Sequence, residues 1–80
     1  MVELINIKRN RDIISCDYIP ENSGKVGKVS VDIKSQEVND FQYSEYEYGK
    51  NMYVAHVRAK LVELLNTAEK IPSKATAIWY

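Results

Sequence analysis

The period of the hydrophobic pattern changes once along this chain, near residue 44, and that change limits the fold more than any other feature. Before it, apolar residues come in short β-prone runs. "KVSVDIK" (28–34) alternates cleanly, with Val29, Val31 and Ile33 on one face and Lys28, Ser30 and Asp32 on the other. After it, Tyr46, Lys50, Tyr53, Val54, Val57, Leu61, Leu64, Leu65 and Ala68 fall on one side of a helix, with His56, Lys60, Glu63 and Thr67 roughly opposite. Lys50 is the exception in the stripe, and its stem can lie along apolar surface while the ammonium reaches water. A half-buried sheet and a striped helix each need a cover, and laying one on the other supplies both.

The first half divides at polar breaks. "VELINIK" (2–8) and "DIISCDYI" (12–19) flank "RNR" (9–11), a hairpin signal with Asn10 expected at positive φ at the tip. "PENSGKVG" (20–27) is the strongest breaker in the chain. "SQ" (35–36) turns the third strand into "EVNDFQY" (37–43). Val38 and Phe41 are three apart there, so a bulge near Asn39 and Asp40 is needed to set both on the inner face. The terminal "ATAIWY" (75–80) is apolar and β-prone, fit for a short edge strand or for tucking against the helix.

The tyrosine-rich stretch "YSEYEYGKNMYVAH" (43–56) reads as the entry to the helix. Ser44 and Glu47 have the spacing of a capping box, and Tyr43 and Tyr48 that of a hydrophobic staple. Glu45 and Glu47 suit the positive pole of a helix and Lys70 its negative one. These signals predict a helix from residue 45, whereas Gly49 favours a later start near Asn51. Pro72 predicts its end near Ile71. Tyr46 and Tyr53, seven apart, are expected to pack on the sheet. The expected fold is α+β: a four-stranded antiparallel β-meander, five-stranded if the tail joins, with one long C-terminal helix packed on one face. Residues 1–80 form a single domain.

Composition narrows the function. At 45% hydrophobic and 28% charged residues the chain is a folding sequence, not a disordered one. Eleven basic residues balance eleven acidic ones, which lacks the basic excess typical of a nucleic-acid binder and removes repulsion between copies. One cysteine, Cys16, and one histidine, His56, cannot build a cysteine-based zinc site or an internal disulfide. A free thiol fits a reducing compartment, so a cytoplasmic location is expected. The N-terminus has neither a signal-peptide pattern nor a membrane-spanning run. Cys16 is expected buried and inert, His56 exposed on the helix, and Arg58 at the helix rim in an ion pair with a carboxylate. "SGKVGK" (23–28) lacks the spacing of a phosphate loop, and the carboxylates suggest no acid–base pair. No catalytic residue, metal or cofactor is expected.

Two surfaces remain. "KRNR" (8–11) is the one basic cluster, and Lys8, Arg9 and Arg11 are the nucleic-acid candidates. Met52, Ala55, Ala59 and Val62 form a second apolar strip on the helix, which the tail or a second copy can cover. Trp79, Tyr80, Met52 and Ala59 are therefore the partner-binding candidates. The strand ending "VDI" (31–33), the segment "YEYGKNMYVAHVRAKL" (46–61) and the terminal "AIWY" (77–80) together resemble small uncharacterised bacterial proteins of Firmicutes and their mobile elements. The resemblance covers most of the chain and implies a cytoplasmic bacterial or phage origin, with no known activity and no site residue carried over. The expectation is a small non-enzymatic interaction module, acting on a protein partner or as a homodimer. The alternative is an accessory nucleic-acid binder using the basic hairpin.

Overall fold

The computed structural model describes residues 1–47 and 52–78. Strands β1 (Val2–Arg9), β2 (Ile13–Pro20), β3 (Gly27–Asp32), β4 (Val38–Gln42) and β5 (Ala75–Ala77) form one open antiparallel sheet in the order β4-β3-β2-β1-β5. A single 3-10 turn, Glu45–Glu47, and helix α1, Met52–Thr67, lie between β4 and β5. The fold is α+β, with the meander expected from the first half and the tail added as the fifth strand, beside β1. Helix α1 packs on β1, β2, β3 and β5 and leaves β4 at the margin.

The core is the seam between the helix and one sheet face. Leu4, Ile14, Tyr18, Val29 and Val31 are closed from water on the sheet side, and Val57 and Leu61 on the helix side. Burying each such aliphatic side chain is worth about 1.5–3 kcal/mol. Tyr53, Val62, Leu64 and Leu65 pack around this centre. From Tyr53 to Leu65 the helical stripe read from spacing is the face that meets the sheet; Tyr46 and Ala68 of that stripe fall outside α1, and its Lys50 lies outside the described residues.

Two bulges keep the alternation in step with the core. Val2 and Leu4 point inward, so the next inward position of β1 is residue 6, an asparagine. The pairing shifts between Ile5, opposite Asp17, and Lys8, opposite Ser15, so that one extra residue is accommodated in β1. Asn6 takes φ 53°, a left-handed conformation that asparagine tolerates better than most residues. Asn6 is thereby exposed and Ile7 buried. The Ile7 amide donates to the Ser73 carbonyl at 3.0 Å, tying the approach to β5 alongside β1. The second bulge lies where the alternation of β4 required it: Ser30 pairs with Asp40 and Val31 with Val38, leaving Asn39 extra.

Several local expectations are corrected. Asn10 is not at positive φ; its Oδ1 accepts from the amides of Asp12 and Ile13 at 3.0 and 2.8 Å, closing the turn through its side chain. Helix α1 does not start at residue 45. The 3-10 turn there is a separate element, held by the Glu47 amide donating to the Ser44 carbonyl at 3.0 Å. The staple partner Tyr48 and the breaker Gly49 lie outside the described residues. The helix ends at Thr67 rather than near Ile71, where the Thr67 hydroxyl donates to the Glu63 carbonyl at 2.7 Å. An earlier end leaves the chain enough length to bring Ile71 onto the core and Ala75 into register with Leu4. Among the described residues Arg58 meets no carboxylate: its Nε donates to the Gln36 carbonyl at 2.8 Å, clamping the β3–β4 turn, where Gln36 sits at φ 62°.

Candidate functional site

The strand ends at the β2–β3 side converge on a buried polar joint. Tyr18 of β2 lies opposite Gly27 of β3. A Cβ on Gly27 would fall 2.5 Å from the Tyr18 Cζ and 2.7 Å from the Ser44 amide nitrogen, so only glycine lets the ring lie across the strand. The Tyr18 hydroxyl accepts from the Ser44 amide at 3.0 Å and donates to Glu47 Oε1. Ser44 Oγ accepts from the Tyr46 amide at 3.2 Å and donates to the Lys25 carbonyl at 2.6 Å. The Ser44–Glu47 spacing is therefore used, but not as a reciprocal capping box: a phenol from a distant strand stands between the two partners. Glu47 is 3% exposed, and its Oε2 has no hydrogen bond among the described residues. Burial raises its carboxyl above the usual range, against the pull of the Tyr18 hydroxyl and the Val54 amide. Burial likewise raises the Tyr18 phenol, with the Glu47 hydrogen bond adding to it.

Tyr46 and Tyr53 flank this joint with their rings edge-to-face, centroids 5.9 Å apart. Both are half-buried; Tyr53 packs on the core as expected, whereas Tyr46 sits on the separate 3-10 turn and not on α1, so the helical spacing of the pair does not apply. They are not an open stacking platform.

The face of the sheet away from α1 carries a polar cluster. Asn6 Nδ2 donates to Asp17 Oδ2 at 2.9 Å, and Lys28 Nζ lies 3.1 Å from Asp17 Oδ1. The Asn6 hydrogen bond, then the Lys28 contact, holds the Asp17 carboxyl below its usual range despite partial burial. Lys8 borders the same shallow depression. The strand order thus brings Lys28 to the same depression as Lys8 of the basic hairpin, whose Arg9 and Arg11 are exposed. Lys25 is taken away from it, lying 3.6 Å from Glu45.

On the opposite flank residues 76–78 lie beside Ala59 of the second helical strip, but Ala55 and Ala59 stay exposed, so the described part of the tail does not cover it. Ala59, His56, Lys60 and Glu63 of α1 border a shallow hollow of about 190 Å³ with Thr76, Ala77 and Ile78. Ala59 is exposed there and Ile78 is 64% exposed. His56, expected at the surface, is only half exposed. Trp79, Tyr80 and the Met52 side chain lie outside the described residues. Cys16 is buried between the strands, and desolvation, reinforced by Asp17, pushes its thiol up to about 12. A thiolate is thus disfavoured at the one position that a cysteine–histidine pair would use. Among the described residues no group of His, Cys, Asp and Glu is placed to hold a metal ion, and no helix is long and apolar enough to cross a membrane.

The fourth place is one that sequence reasoning missed. Cross-strand partners point to the same side of a sheet, so the pairing of Phe41 with Val29 sets Phe41 on the helix-facing side. Because α1 does not extend over β4, Phe41 remains 47% exposed and Tyr43 38% exposed. Their rings are stacked at a tilt, centroids 4.7 Å apart. The signal was present in the bulge, which turned Phe41 inward in register; its exposure follows from where the helix axis lies. The β4 edge is also protected. Asn39 interrupts the ladder, and the Phe41 amide donates to Asp40 Oδ1 at 2.9 Å. Comparison with family models, curated proteins and solved structures gives no match.

Proposed function

We propose that this chain is a small non-enzymatic protein-interaction module, working in the cytoplasm through the aromatic margin of its sheet. The observation that carries this reading is the stacked, exposed Phe41–Tyr43 pair on the sheet face that α1 leaves uncovered. Exposed aromatic rings contribute large contact area with few rotatable bonds, which makes them frequent anchors of protein interfaces. The buried free thiol of Cys16 accords with a reducing setting. The helix–tail flank, with Ala59 and the candidates Trp79, Tyr80 and Met52, is the second contact surface of this reading, and it suits self-association. The test is quantitative capture from the native cytoplasm with the wild-type chain and with a Phe41→Ser/Tyr43→Ser variant of unchanged thermal stability. A partner held by the first and lost by the second supports the module. Identical captured sets from the two would refute the role of this margin. Sedimentation of the chain alone reads self-association, which Trp79→Ala should dissociate.

A second reading, an accessory nucleic-acid binder, draws on the placement of Lys8 and Lys28 on one sheet face, with the exposed Arg9 and Arg11 following Lys8 in the chain. It requires a salt-sensitive mobility shift with DNA or RNA that Arg9→Ala with Arg11→Ala abolishes. A shift indifferent to salt and to both substitutions would remove it.

A further inference from the structure

We propose that two copies of this chain join through the free edge of β5, their β5 strands pairing antiparallel about a two-fold axis at Thr76. The inference rests on the self-association side of the interaction-module reading and names its surface. The hydrogen-bond phase of β1 identifies the groups on offer. The Glu21 amide donates to the Met1 carbonyl at 2.9 Å, so Met1 turns its backbone polar groups toward β2. Alternate residues of a strand turn these groups to opposite sides, so Val2 and Leu4 turn theirs toward β5. Pro20, which has no amide hydrogen to give, lies opposite Val2, as this phase requires. Val2 pairs with Ala77 and Leu4 with Ala75. Ala75 and Ala77 therefore bond to β1, and the amide and carbonyl of Thr76 point away from the sheet. Lys74 and Ile78, two residues to either side, share that outward phase. Three observations select a second copy as the occupant. First, the edge is self-complementary. In an antiparallel pairing, Thr76 meets Thr76 of the second copy and exchanges both N–H···O bonds with it, while Lys74 meets Ile78 of the other copy. Second, no like charges meet. Residues 75–77 are uncharged, the chain's net charge is zero, and the Lys74 stem lies along an isoleucine while its ammonium reaches water. Ile78, which is 64% exposed, gains a neighbour in this way. A strand of a foreign protein could meet the same backbone groups, but the two-fold supplies the Lys74–Ile78 match twice. Third, the opposite edge of the sheet is blunted. Asn39 interrupts the β4 ladder and the Phe41 amide donates to Asp40 Oδ1, whereas Ala75–Ala77 carries neither bulge nor proline. Head-to-tail pairing of β5 with β4 of the next copy is thereby discouraged, and pairing of β5 with β5 closes on itself.

The test follows the full chain by sedimentation and by amide hydrogen exchange over a range of concentrations. Pairing over residues 74–78 buries less than the roughly 800 Å² per partner of a standard interface, so the dimer should be weak and dissociate on dilution. The Thr76 amide should be protected from exchange in the dimer and unprotected in the dilute monomer. The Ala75 and Ala77 amides, bonded to β1 in either state, should change least. Thr76→Pro removes only an outward amide, which an edge strand tolerates, so it should keep the melting temperature of the monomer and abolish the dimer. Ile78→Ser should weaken the dimer about tenfold, the usual scale for losing one anchor side chain. Thr76 protection that is indifferent to concentration would overturn the proposal, whether or not Thr76→Pro folds. Growth into oligomers beyond the dimer would overturn the closed two-fold. A dimer untouched by Thr76→Pro and lost with Trp79→Ala would place the joint elsewhere, overturning this inference while the self-association reading stands. A monomer at every concentration that loses a captured protein on Thr76→Pro would give the edge to a foreign strand, which overturns the second copy and leaves the module standing. A monomer whose captured set is also unchanged by Phe41→Ser/Tyr43→Ser would bring down both readings.

Discussion

Tyr18→Phe removes one oxygen atom and tests the joint on which the β4-to-helix connection turns. The ring stays, so its packing across Gly27 is kept. Two buried interactions go. The Ser44 amide loses its acceptor at 3.0 Å, and Glu47 Oε1 loses its donor. A hydrogen bond to a charged group is worth about 1.5–3 kcal/mol, and an orphaned buried amide costs about 1–3 kcal/mol. Partial relief comes from Glu47 taking up a proton, so the expected loss is about 3 kcal/mol. For 80 residues, total stability is about 4–12 kcal/mol, so this single hydroxyl carries a quarter or more of it. In a domain this small the melting temperature should fall by roughly 12–24 °C. Urea unfolding followed by circular dichroism at neutral pH measures it, with an unchanged denaturant slope showing that the native state is otherwise intact. A double-mutant cycle with Glu47→Gln should show coupling of at least about 1 kcal/mol. A loss below about 1 kcal/mol, or no coupling, would show that the hydroxyl does not bridge Ser44 and Glu47.

Glu47 itself should give a pH signature. Its carboxyl is raised in the folded chain, chiefly by burial, so its contribution to stability is full below the ordinary carboxylate value and is lost as pH rises through the raised one. Glu47→Gln should flatten that part of the stability–pH curve; a curve unchanged in shape would contradict the assignment. Gly27→Ala should cost about 3 kcal/mol, because its Cβ would meet Tyr18 and the Ser44 backbone, and a melt within a few degrees of wild type would mean that the ring can move aside. Asn6→Gly should keep the bulge, whereas Asn6→Val should lose about 1–2 kcal/mol at a left-handed position; equal stabilities would show that the bulge does not depend on φ there.

The elements were legible because their signals are local. The alternation of Val29, Val31 and Ile33 marks β3, and the helical stripe marks the buried face of α1. Even the β4 bulge could be read, since Val38 and Phe41 cannot otherwise share a face. The bulge in β1 left a comparable trace: an asparagine at the third inward position, followed by an isoleucine. It went unread because "VELINIK" is a strand by composition either way. The capping-box spacing of Ser44 and Glu47 was a true local signal with a misleading reading. It marks a turn, but the group that satisfies it is Tyr18, reached only when β2 lies beside β3. Arg58 shows the same limit: a carbonyl of the β3–β4 turn was an available acceptor that no spacing rule identifies.

From the chain alone came the α+β class, the meander, the buried side of the helix and the β-prone tail, because each depends on residues a few positions apart. Only the tertiary arrangement decided that the tail joins β1, that a glutamate is buried against a tyrosine, and that α1 stops short of β4. Those outcomes depend on which surfaces compete for a limited cover: one helix shields a few strands, and the aromatic residues of the strand beyond it stay in water.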